Sequence, residues 1–286
     1  MINSLKNQVN NLEKSLNQQT ELINSQINSI YENVDNKLNK QVSLLSEFTY
    51  KSGKFYPEDK TAELIIEMVP KVITNDTSLY ITFDGKETPC IKNKNKYTAV
   101  ITVDAFKYYD ESPVLNIKSG TEIQTEVLED VYVEYLYTNH LGSLNAHSTL
   151  NSIYNKYNIS KPANNKTISY NGSVYFDYWK NAENNSLNTI KKAFIAIEVN
   201  NKEVKRYDVT DKLVLSEENL IGDVSLTETL NVKLNDSIEF FAIVEDSYGF
   251  IHKCLVDTHI ISQKDENFIE FSSEEMIYDK DNNKLN

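Results

Sequence analysis

A chain of 286 residues exceeds the usual size of one domain, so two or three folded units are expected. Hydrophobic residues make up 40% and charged residues 25%, a balance that allows real cores. The net charge of −13 argues against nucleic acid and anionic membrane surfaces, because both are bound by clustered Lys and Arg.

Two cysteines, Cys90 and Cys254, cannot form a disulfide framework, and they read as two small buried or half-buried thiols. No apolar run approaches the ~20 residues that cross a bilayer. Met1 leads into a polar amphipathic run rather than a basic and then apolar signal peptide. Synthesis in a bacterial cytoplasm without an export signal is expected.

From Met1 to Ser52 there is neither Gly nor Pro. Ile2, Leu5, Val9, Leu12 and Leu16 are spaced alternately by three and four residues, the seam of a heptad repeat. Gln19 interrupts it, and the seam resumes, shifted, at Ile23, Ile27, Ile30 and Val34. The spacing predicts a coiled-coil oligomerisation helix over residues 1–49, roughly 70 Å long at ~1.5 Å per residue. Ile at both core positions of the second half favours a homotrimer, and Val with Leu in the first half leaves a dimer open.

Beyond Gly53 and Pro57 the period changes to two. Ala62, Leu64, Ile66 and Met68 share one strand face. Leu79, Ile81 and Phe83 run into the turn Asp84-Gly85. Tyr97, Ala99, Ile101 and Val103 alternate, as do the strands expected at 114–117 and 127–137. Residues 50–137 therefore read as an immunoglobulin-like β-sandwich, and 138–165 as a linker or first strand. A second immunoglobulin-like sandwich is expected over 166–263, with a tight hairpin at Asn200-Asn201 and a turn at 246–249. Residues 264–286 form an acidic C-terminal tail, either a last strand with a frayed end or a docking peptide. The expected fold class is mainly β with a long N-terminal α-helix.

Chemistry-bearing patterns are sparse. His140 and His147 are too far apart for a helical zinc pair, and His252 and His259 differ in strand parity. All four read as surface or edge residues. Neither a nucleophile elbow, a phosphate loop nor a paired-carboxylate spacing occurs, so no catalytic residue, metal or cofactor is expected. The segment 170–179 concentrates aromatics. With period two, Val174, Phe176 and Tyr178 share one face, and Tyr175, Asp177 and Trp179 share the other. If the first face is core, the second offers two aromatic platforms beside a carboxylate, suited to stacking on a sugar ring. A lone tryptophan in a sandwich more ordinarily fills the core, which is the competing reading.

The coiled-coil-like run Leu12–Phe48 followed by tandem β units resembles tail, neck or baseplate fibre proteins of phages and prophages of low-GC Gram-positive hosts. The segment 246–253 resembles the closing hairpin of their domains. The resemblance implies a structural or attachment component of a virion or phage-tail-like particle. Its expected partners are further copies of itself, other particle proteins and a cell-surface glycan. The alternatives are a receptor-binding module and, more remotely, a wall-polysaccharide hydrolase.

Overall fold

The computed structural model describes residues 14, 17–27, 29, 43–74, 76–154, 165–180, 188–215, 219–261, 268–269 and 274–286. The described residues are mainly β, built into five antiparallel sheets. This overturns the expected fold class, a long N-terminal coiled coil followed by two immunoglobulin-like sandwiches. The described helix covers only residues 17–27. Leu45, within the helix expected over residues 1–49, instead opens a strand and is 4% exposed. From there the chain carries Phe48, Thr49, Tyr50, Phe55 and Tyr56, residue types that pack well on a pleated surface. Pairing with the next strand outweighs a three-and-four spacing, which marks a helix face without making a helix.

The strands of the first half, in chain order, are β1 Leu45–Tyr56, β2 Thr61–Pro70, β3 Thr77–Phe83, β4 Lys86–Pro89, β5 Ile91–Asn93, β6 Lys96–Asp104, β7 Tyr108–Tyr109, β8 Val114–Ser119, β9 Glu122–Val127 and β10 Val133–Glu134. The second half has β11 Ser143–Ser148, β12 Asn151–Tyr154, β13 Asn165–Trp179, β14 Ile190–Val199, β15 Lys202–Asp208, β16 Val214–Leu215, β17 Asn219–Lys233, β18 Ser237–Asp246, β19 Ile251–Ile260, β20 Phe268–Ile269 and β21 Met276–Tyr278. Two compact units result. The first comprises 1–51, 64–101 and 111–132, and the second comprises 52–63, 102–110 and 133–286. The division falls within β1, β2 and β6.

The first unit holds a sheet of order β4-β3-β8-β9 and its part of the sheet β1-β2-β6-β5. Strict alternation buries Leu64, Ile66 and Met68 on β2, Leu79, Ile81 and Phe83 on β3, and Tyr97, Ala99 and Ile101 on β6. Asp84 and Gly85 both have positive φ, the backbone of a two-residue hairpin turn that joins β3 to β4. Burial pushes the Cys90 thiol up to about 12, so it stays protonated and inert.

The second unit contains a sandwich. One sheet has the order β11-β13-β17-β16, with β12 also on β13. The other has the order β15-β14-β18-β19-β20, with β21 also on β19. Ile168, Val174, Phe176 and Tyr178 from the first sheet pack with Ile195, Ile197, Phe240, Ala242 and Val244 from the second. Asn200 and Asn201, both at positive φ, close the β14–β15 hairpin. At the β11–β12 junction β13 carries Gly172, where a Cβ would lie 2.4 Å from the Thr149 carbonyl oxygen. Only glycine lets the two backbones approach that closely.

Candidate functional site

The 15 residues of β13 form the centre of one sheet, paired over 143–148 with β11 and along their whole length with β17. Their inward residues are fixed by packing: Val174 and Phe176 are 0% and Tyr178 is 1% exposed. Parity then turns Tyr175, Asp177 and Trp179 outward. Trp179 is 55% exposed, so the reading that it fills the core is excluded.

Register assembles the rest of the face, because residues directly opposite in antiparallel strands share one side of the sheet. Ser143 and Asn219 flank Trp179. Asn145 and Ile221 flank Asp177, and Val214 on β16 extends that row beyond Ile221. His147 and Asp223 flank Tyr175. The His147 and Tyr175 rings lie against each other, with centroids 4.7 Å apart and planes inclined by 35°. An exposed indole thus sits at one end of the face and a pair of rings at the other. Lys and Arg do not occur in these three rows.

Between the two aromatic ends lies Asp177. The side chain is half-buried, and its Oδ1 is shut off from water without a hydrogen-bond partner among the described residues. A carboxylate oxygen stripped of water and left without a donor is costly.

Behind this face, the core holds β13 in place by a buried polar network. The Tyr178 hydroxyl accepts the Gly142 N–H at 3.1 Å and lies 3.3 Å from His252 Nε2. A Cβ at Gly142 would fall 2.4 Å from the Tyr178 ring, so this close fit requires glycine. His252 Nδ1 donates to Glu275 Oε1 at 2.7 Å, and Nε2 stands 3.5 Å from Asp246 Oδ2. Asp246 also accepts from Phe250 N–H and Asn188 Nδ2. Glu275 accepts from Leu144 N–H and Ser143 Oγ, which fastens the start of β11. Burial alone would lower the His252 pKa, but hydrogen bonds and charge from Asp246 and Glu275 outweigh it and push it up to about 9.

Histidine placement departs from expectation. His140, His252 and His259 are 5%, 0% and 3% exposed, and only His147 faces solvent. His252 and His259 share the inner face despite their odd spacing. Pairing slips between Phe240 and Phe241, so β19 carries one extra residue at Val256, and that bulge restores parity.

The acidic C-terminal segment contributes β21, whose Ile277 is fully buried. Asp279 binds the Lys60 ammonium and accepts from Asn283, which holds its carboxyl well below the usual range. Of the proposed oligomerisation seam, Gln19, Ile23 and Ile27 lie on the short helix and are exposed. Ile2, Leu5, Val9, Leu12, Leu16, Ile30 and Val34 lie outside the described residues.

Ser143, Asn145, Asn219 and Asp223 were not singled out from the sequence, and His147 was read only as a surface or edge residue. No local signal marks them, since only the register of β11 and β17 against β13 brings them to Trp179. No family model matches the chain, and no curated protein matches it. No described helix is long and apolar enough to cross a membrane.

Proposed function

We propose that the chain is a non-enzymatic attachment component of a phage virion or phage-tail-like particle, and that the outer face of β13 is its binding face. The observation that supports this reading is Trp179, 55% exposed on the strand at the centre of its sheet, beside Asp177, whose Oδ1 has no hydrogen-bond partner among the described residues. A passive spacer gains nothing from an outward indole, whereas large, stiff aromatic side chains anchor binding surfaces at low entropic cost. The strand holds it rigidly, because its alternate residues are locked into the core. Display of several copies on one particle would turn modest single-site affinity into firm attachment.

The test is sedimentation of the full chain with Gram-positive cell envelopes. The wild-type chain is expected to co-sediment, and Trp179→Ala to weaken binding at least tenfold, about 1.4 kcal/mol. Equal binding by both chains would remove the face from the account.

A further inference from the structure

Resting on that reading, we infer that the face takes an uncharged oligosaccharide laid along β13, stacked on Trp179 and hydrogen-bonded to Asp177. Trp179 and Tyr175 are four residues apart on one strand, a span of about 13 Å at ~3.3 Å per residue. That is longer than one sugar ring and suits a short oligomer of roughly three. The indole offers a broad apolar plane with an N–H at its edge, which matches the C–H face of a pyranose bordered by hydroxyls.

Asp177 sits midway between the aromatic ends. Ionised, it only accepts, so its ligand must bring donors. Oδ1 is closed to water and so to a ligand hydroxyl of the same size, which leaves the exposed part of this half-buried side chain to accept from the ligand. Asn145 adds an amide that both donates and accepts, and the Ser143 hydroxyl, which donates to Glu275, can still accept, the complement of a polyhydroxylated chain.

Charge narrows the class further. Asp177 and Asp223 face the ligand without Lys or Arg in the same rows, and the chain carries a net charge of −13. Phosphate- or carboxylate-bearing polymers are repelled. A cationic peptide is the competing occupant. Against it, only one of the two carboxylates lies between the aromatic ends, and the groups flanking it are an amide and an aliphatic side chain.

Calorimetric titration of the full chain with β-1,4-linked glucose and N-acetylglucosamine oligomers of one to six rings tests this. Affinity should climb to roughly three rings, the length that ~13 Å accommodates, and then level off. Trp179→Ala and Asp177→Asn should each weaken it at least tenfold, with an unchanged far-UV circular dichroism spectrum. Indifference to ring number, full binding by Asp177→Asn, or failure to bind any oligomer would overturn the inference. So would tighter binding to polylysine. Envelope binding that is lost after protease treatment, and that still depends on Trp179, would leave the attachment role standing and remove the sugar.

Discussion

His252→Gln is expected to destabilise the second unit by about 3–5 kcal/mol, the cost of removing one partner from a buried charge network. The substitution leaves Asp246 and Glu275 without their shared cation, in a place where the histidine is 0% exposed. Glu275 also holds the Leu144 N–H and Ser143 hydroxyl, so the start of β11 should loosen with it. Urea unfolding followed by far-UV circular dichroism measures the loss. The pH dependence gives a second readout. The folded-state pKa of about 9 lies above the ordinary 6.5, so the folded chain holds this proton more tightly than the unfolded one. The stabilisation is complete below pH 6.5 and is lost as pH rises through about 9. His252→Gln should abolish that alkaline decline, and an unchanged decline would mean another group causes it.

Paired substitutions on β13 should separate its two faces. Phe176→Ala is expected to cost about 3–5 kcal/mol, because it empties a ring from a close-packed interior. Phe176 is fully buried in a core that also holds Ile195, Phe240 and Val244 of the opposite sheet, so the site cannot collapse easily. Trp179→Ala, three residues further on, should shift stability by no more than about 0.5 kcal/mol, as surface changes away from special features do. Urea midpoints of the two variants check this. A large loss from Trp179→Ala would mean that the indole serves packing, and the binding face would lose its anchor.

Period two made much of the β structure readable in advance. Ala62, Leu64, Ile66 and Met68, and likewise Val174, Phe176 and Tyr178, are buried as their alternation requires. Asp84-Gly85 and Asn200-Asn201 marked hairpins because those residue types tolerate positive φ. Residues 45–49 were misread because helical spacing is a weak signal beside aromatic and β-branched content that can pair in a sheet. The inward turn of both His252 and His259 depends on a bulge at Val256, which no sequence pattern announces. The need for glycine at 142 and 172 arises from Tyr178 and Thr149, neighbours distant along the chain or across a strand junction. The binding face was legible in part. Tyr175, Asp177 and Trp179 followed from parity, but the choice between core and solvent for Trp179 rested on which face the second sheet covers.

Trp179 is the single tryptophan in the chain, so its fluorescence reports the face directly. In the free protein its emission should lie at long wavelength and be readily quenched by acrylamide, as 55% exposure demands. On saturation with soluble cell-wall glycan, the emission should move to shorter wavelength and quenching should fall. Emission and quenching that stay unchanged while the glycan is bound would place the contact elsewhere and contradict the account.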